Sequence, residues 1–267
     1  MIRPPAVAGA FYPADAIQLR EMVGAMIERE AAPTKALLAI SPHAGYVYSG
    51  PAAGKVFGRV VVPERVVVMG PNHRGVGAPA AIMSRGQWQT PLGNVELDSE
   101  LGGRLLKLSP LLREDPTAHR MEHSLEVQLP FLQVLQPRLK LTPICLGWLG
   151  YPECEALGTA LAQAISSMGE DVLMVASTDM THYEPAAVAR EKDELAISCI
   201  LELDPRGLYD VVRTRGITMC GVIPTVVGLV AARQLGASRA ELVVYTNSGE
   251  VTGDYYQVVA YAGIVVS

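Results

Sequence analysis

No basic run, no Cys-x-x-C pair and no apolar stretch long enough to cross a bilayer occurs in this chain. Its 22 basic and 27 acidic residues leave a formal net charge of −5. The positive footprint needed to neutralise a phosphate backbone is therefore missing, which excludes nucleic acid as an expected partner. The longest uncharged run, Gly216 to Ala232, falls short of the ~18 residues of a spanning helix. Gly221 and Pro224 interrupt it as well, so a buried helix is expected there and no membrane association. The opening Met1–Ala10 segment is apolar, but Pro4 and Pro5 break it and Asp15 follows, which reads as mature chain rather than a signal peptide. Charged residues are sparse at 18% while 49% are hydrophobic, the opposite of a disordered composition. The four cysteines, Cys145, Cys154, Cys199 and Cys220, are widely spaced, and a chain of 267 residues buries a core without staples. Reduced thiols in a cytoplasmic protein are the expectation.

Several nucleotide and hydrolase signatures are missing too. Gly50 to Val56 is one residue too short for a P-loop and carries Val56 where magnesium needs a hydroxyl. Gly75 to Ala80 lacks the third glycine of a dinucleotide fingerprint, and Pro79 would obstruct the helix. No G-x-S-x-G elbow occurs. There is no internal repeat and no Gly/Ser linker, so 1–267 reads as a single domain.

What is present is alternation. Ala36–Ile40, Arg65–Met69 and Asp171–Ala176 read as short aliphatic strands covered on both faces, with further strands at Lys140–Ile144, Glu241–Thr246 and Gln257–Val266. Helical patterns fall at Ala16–Glu30, Ser99–Leu108, Ser124–Leu135, Glu153–Ser167, Ala186–Leu203 and Ile223–Leu235. This predicts an α/β fold, a mostly parallel or mixed sheet with helices on both faces.

Three of the five histidines follow the carboxyl end of an apolar strand: His43, His73 and His182. In open α/β sheets that edge is where loops converge on a ligand crevice, and neutral imidazole is the commonest metal ligand. Taken alone, a histidine such as His43 reads more readily as a loop residue bonded to a carbonyl, and the pairing of His43 with His73 at adjacent loop tips is what weakens that reading. Gly45 allows a sharp turn after His43, and Tyr46 and Tyr48 bring hydroxyls and ring faces. Asn72 is placed to orient the ring of His73. Asp179 precedes His182 by three residues; in a helical turn the two share a face, and the carboxylate would raise the basicity of the ring. A helix cap by Thr178 or Asp179 is the structural alternative. His123 and Glu126 begin a helix three residues apart, either as a structural network or as a polar cluster facing the same pocket. The His119–His123 spacing resembles a metal pair, but Pro116 suggests loop at His119. Cys220 stands just before a predicted helix, where a thiol's pKa is lowered. A small packing residue is the alternative.

PHAGYVYSG around His43, GPNH ending at His73, EHSLEVQLPF at 122–131, TDMTHY at 178–183, CGVIP at 220–224 and SGEVTGDYYQVVAYAG at 248–263 together resemble the Memo family. Members of that family are also called AmmeMemoRadiSam system protein B. RPPAVAGAFYP at 3–13 extends the resemblance nearly end to end. The resemblance implies a fold similar to class III extradiol dioxygenases, which hold iron(II) with two histidines and a carboxylate. It further implies His43 and His73 as metal ligands, His182 as acid/base, Asp179 in the same pocket and Cys220 as third ligand. A thiolate is softer than a carboxylate, so copper or zinc competes better with iron there. The expectation is a redox-active iron or copper protein, an oxygen-using oxidoreductase if active. The rivals are an adaptor holding a phosphorylated peptide in a vestigial pocket rimmed by Tyr46 and Tyr48, and a metal-dependent hydrolase favouring zinc. A small-molecule or peptide ligand and a radical-SAM system partner belong to the same expectation.

Overall fold

Alternating side chains of the central strands feed two separate cores. In the strand Arg65–Pro71, Val66 and Val68 enter one hydrophobic cluster while Val67 and Met69 enter the other. Leu173 and Val175 likewise oppose Met174 and Ala176 in the strand Val172–Ser177. Successive side chains point to opposite faces of a strand, so continuous apolar runs are what a sheet buried on both sides requires.

The computed structural model describes residues 1–267, with twelve strands and ten α-helices. The strands are β1 (Ile2–Arg3), β2 (Leu38–Ser41), β3 (Arg65–Pro71), β4 (Ala80–Ile82), β5 (Gln87–Thr90), β6 (Gly93–Leu97), β7 (Arg113–Glu114), β8 (Lys140–Leu146), β9 (Val172–Ser177), β10 (His182–Glu184), β11 (Ala240–Asn247) and β12 (Val258–Val266). The helices are α1 (Ala16–Met26), α2 (Tyr46–Arg59), α3 (Ser99–Leu108), α4 (Pro116–His119), α5 (Leu129–Leu135), α6 (Tyr151–Ser166), α7 (Ala186–Leu201), α8 (Pro205–Thr214), α9 (Val222–Gln234) and α10 (Gly249–Thr252). They form one mixed sheet in the order β1-β5-β6-β8-β3-β9-β2-β12-β10, with β11 on β12 and β4 on β8. Strands β8, β3, β9 and β2 are parallel, whereas β12 runs antiparallel to β2, β10 and β11. Helices α1, α2 and α5 supply Leu19, Val23, Val56, Phe57 and Phe131 to one face. Helices α6 and α9 supply Leu157, Leu161, Val226 and Val227 to the other. This is a single-domain α/β fold with helices on both faces, as expected.

Three expectations are corrected. The predicted helix over Ser124–Leu135 begins only with a 3-10 turn at Glu126–Gln128 and becomes α-helical at Leu129. The segment around Asp179 and His182 is no helical turn: His182 opens strand β10, pairing with Val259. His119, expected in a loop, closes the short helix α4. Helix α2 was not anticipated, because its three-glycine, Pro51-containing sequence reads as turn. Its small residues serve packing instead: a Cβ on Gly54 or Gly58 would strike the backbone of Met26 or Glu28.

Candidate metal centre

Because β3, β9 and β2 are parallel neighbours, their carboxyl ends lie side by side. The loops leaving them carry His43, His73 and Asp179 to one place. The ring centroids of His43 and His73 are 5.1 Å apart. His123, from the segment preceding α5, joins them at 5.5 Å from His43 and stacks on His73 at 4.6 Å. One nitrogen from each of these three imidazoles lies within 4.8 Å of the other two. Cys220 adjoins the cluster at one ring, its Sγ 3.2 Å from Nε2 of His43, while the three mutually close donors are the imidazoles of His43, His73 and His123.

Close backbone approach makes the cluster possible. Gly221 sits against Ser177 and Thr178 so tightly that a Cβ would overlap both. Its N–H donates to Thr178 Oγ1 at 2.9 Å, and the amide of Asp179 donates to Cys220 Sγ at 3.2 Å. The chain ahead of α9 is thereby clamped to the end of β9. Gly70 plays the same part at the end of β3, where a Cβ would meet Ser124 and Leu125.

Buried polar groups behind the rings fix them. Glu122, fully buried, accepts from the His73 amide at 2.8 Å and the Ser124 amide at 2.9 Å, and its carboxylate lies 2.8 Å from His73 Nδ1. His123 Nδ1 lies 3.5 Å from the same carboxylate. Ser177 Oγ sits 2.9 Å from His43 Nδ1. Neither Glu122 nor Ser177 was among the residues singled out in the sequence. Their signal was a polar residue ending a buried strand and a carboxylate next to His123.

The other expected site residues divide. His182 lines the cleft beside the cluster, its Nδ1 3.0 Å from the Thr218 carbonyl and its amide bonded to Thr218 Oγ1. Asp179 does not orient it. That carboxylate accepts from the His43 amide at 2.7 Å and so holds the loop carrying His43. Asn72 does not orient His73; its Nδ2 donates to the Val76 carbonyl, and Glu122 takes the expected role. Glu126 is turned out of the pocket, because the 3-10 turn breaks the helical spacing from His123. It instead binds Arg3, the amides of Ala6 and Val7, and the Tyr12 hydroxyl. Tyr46 is buried with its hydroxyl donating to the Val127 carbonyl, so only Tyr48 reaches the rim.

The cleft has a volume of ≈ 410 Å³. Phe11, Tyr48, Tyr183 and Tyr261 give it aromatic walls, and no arginine or lysine lines it. Tyr183 adopts the left-handed conformation (φ 60) where β10 shifts register, which turns an exposed ring to the cleft mouth.

Burial governs the electrostatics. It lowers His43 well below the usual imidazole value, and the neighbouring His73, His123 and His182 add to the effect. Burial likewise lowers His123 to about 4, and it lowers His182. Burial raises Asp179 to about 7 against the opposing amides of His43 and Ala44. In Glu122 burial pushes upward but loses to the His73 and Ser124 hydrogen bonds, which hold the carboxyl down to about 2. The Cys220 thiol is pushed up, by burial first and then by Asp179, so the lowered value expected from the helix N-terminus is corrected. The helix contributes partial charge at its end; burial outweighs it. Three converging imidazoles with a soft sulfur atom beside one of them are a donor set that fits a transition-metal ion.

Fold and site together define an α/β protein with a histidine–thiol cluster at the carboxyl edge of its parallel strands. The profile of the family described as Memo-like protein matches residues 3–265, and the chain belongs to that family. It is 46% identical to a MEMO1 family protein of Aquifex aeolicus, over 99% of this chain and 98% of the relative. It is 42% identical to one from Methanopyrus kandleri, over 99% of both. Among solved structures, an uncharacterized protein of Escherichia coli K12 shares the fold with a TM-score of 0.57 and 14% identity. That match covers 84% of this chain and 98% of the other. No helix is long and apolar enough to cross a membrane.

Proposed function

We propose that the cluster is a redox-active metal centre, with His43, His73 and Cys220 as ligands to iron or copper and His123 as a further donor. The observation that carries this reading is the convergence of three imidazole nitrogens within 4.8 Å, with a thiol 3.2 Å from one of them. A bound iron or copper ion would supply electron transfer and, in an oxidoreductase, activation of dioxygen. The chain's own residues do the rest. Glu122 and Ser177 hold the rings, and the aromatic walls exclude water from one side of the cleft. His182 is anchored at Nδ1 through Thr218, which leaves its other ring nitrogen to take or give a proton to a bound small molecule. Cytoplasmic residence is consistent with four unpaired cysteines. Zinc is the rival metal, and a hydrolytic centre would follow from it.

The adaptor reading, with a phosphorylated peptide in the cleft, finds less support. Phosphate recognition uses arginine or lysine, and the cleft is lined by neither. A radical-SAM system partner stays within the proposal as a family-level association. Metal analysis of protein purified without oxygen, beside His43→Ala and Cys220→Ser variants, tests the reading. Stoichiometric iron or copper in the parent and its loss from both variants is the expected result. Equal metal content in all three would overturn the centre.

A further inference from the structure

We infer that Ser177 and Glu122 are positioning residues that lock His43 and His73 as their Nδ1–H tautomers, so that both rings hold an Nε2 lone pair ready before any metal arrives. The inference rests on the metal-centre reading for its purpose but not for its derivation, which is a count of donors and acceptors.

A serine hydroxyl has one proton to donate and two lone pairs to accept. Ser177 Oγ has three neighbours: the Ser124 carbonyl at 2.6 Å, Gln128 Nε2 at 2.8 Å and His43 Nδ1 at 2.9 Å. The carbonyl only accepts, so the Ser177 proton goes there. The Gln128 amide cannot be reversed, because the same nitrogen donates to the Pro42 carbonyl at 2.9 Å. Gln128 therefore donates to Ser177 as well. Only acceptor capacity remains on Oγ, and His43 Nδ1 must carry the hydrogen. Its Nε2, 3.2 Å from Cys220 Sγ, is left bare.

His73 obeys the same count. The Glu122 carboxylate receives the amides of His73 and Ser124, one on each oxygen. A carboxylate so engaged has only lone pairs to offer, so His73 Nδ1, 2.8 Å away, is the donor. Both tautomers are thus set from behind the rings by groups 49 to 134 positions away in the chain. Ligating imidazoles commonly have their second nitrogen held in this way, which fixes ring orientation.

The test uses the full-length, metal-free protein with ¹⁵N-labelled histidine, observed by proton–nitrogen correlation NMR at a pH where the rings are neutral. The expected result is a protonated Nδ1 and a bare Nε2 on both His43 and His73. Ser177→Ala should release His43 into a tautomer mixture and weaken cobalt(II) binding by about 10–100-fold. Ser177→Thr, which keeps the hydroxyl, should restore both. Glu122→Gln should do to His73 what Ser177→Ala does to His43. A protonated Nε2 on either ring of the parent protein overturns the inference, as does a Ser177→Ala spectrum unchanged at His43. If a variant fails to fold, the parent spectrum alone decides. Expected tautomers in a protein that binds no cobalt would leave the inference standing and remove the metal-centre reading. Tight cobalt binding with the opposite tautomers would do the reverse.

Discussion

Cys220 Sγ lies 3.2 Å from Nε2 of His43, across 177 residues of chain. Burial keeps that thiol protonated, with Asp179 adding to the effect, while burial keeps His43 neutral. Within the proposed centre, metal binding must therefore expel one proton from sulfur and none from His43 or His123. Affinity should rise about tenfold per pH unit between about pH 6 and 8. Cys220→Ser should flatten that dependence. Loss of groups outside the ligand shell alone costs about 10–100-fold, so loss of the sulfur ligand should exceed about 100-fold. Isothermal titration with cobalt(II) at several pH values measures both. A Cys220→Ser variant with the parent's slope would remove the thiol from the ligand set.

Much of this site was legible before any coordinates. Aliphatic runs ending in His43 and His73 mark buried parallel strands and their carboxyl ends, and adjacent strands bring such ends together. His182 belonged to the same pattern, but its local geometry did not follow. The three-residue spacing from Asp179 implies a shared face only inside a helix, and pairing with Val259 on β12 holds His182 extended instead. The spacing of His123 and Glu126 failed for a similar reason, since the helix starts too late to align them. The role of Glu122 was hidden because its partner, His73, is 49 residues away, and long-range pairing leaves no periodicity in a single sequence. Helix α2 was hidden by residues chosen for close packing rather than for helix propensity.

Glu126 illustrates what that rearrangement does for stability. Its side chain is fully buried and ion-paired with Arg3, whose own side chain is 3% exposed. Arg3 in turn donates to the carbonyls of His119 and Glu122 and lies 4.1 Å from the centroid of the Trp88 ring. Glu126→Ala would strand a buried guanidinium and free the N-terminal segment that carries Phe11 against His123. The expected cost is about 3–5 kcal/mol in urea unfolding, as for other buried pairs broken on one side. A loss below about 1 kcal/mol would mean that the pair is solvated in solution.

Gly221 tests the clamp between Cys220 and the end of β9. A methyl group there would overlap the Ser177 carbonyl and the Thr178 side chain, both buried. Gly221→Ala should cost about 1–3 kcal/mol through forced backbone shifts. It should also weaken cobalt binding, because Cys220 is moved relative to His43. Gly236→Ala, at a glycine with no atom near its missing side chain but a positive φ of 96, makes the useful control. That substitution should lower the denaturation midpoint and leave metal affinity unchanged. Equal loss of affinity in both variants would show that the clamp has no special relation to the site.

His119 should contribute to the response of the fold to mild acid. It is fully buried against Trp88, with neither ring nitrogen hydrogen-bonded, and burial lowers its pKa to about 3, helped by the Arg3 charge. In the unfolded chain an imidazole titrates near ~6.5. Below that pH the unfolded state takes up a proton that the folded state refuses, so stability falls as pH falls from about 6.5 toward about 3. The slope approaches about 1.4 kcal/mol per pH unit for this one group. His43 and His123, depressed by the same cause, add to it. His119→Leu removes one of these groups and should make the loss between pH 7 and pH 5 shallower by that increment. Urea midpoints measured at both pH values give the comparison, and a variant as acid-sensitive as its parent would place the linkage elsewhere.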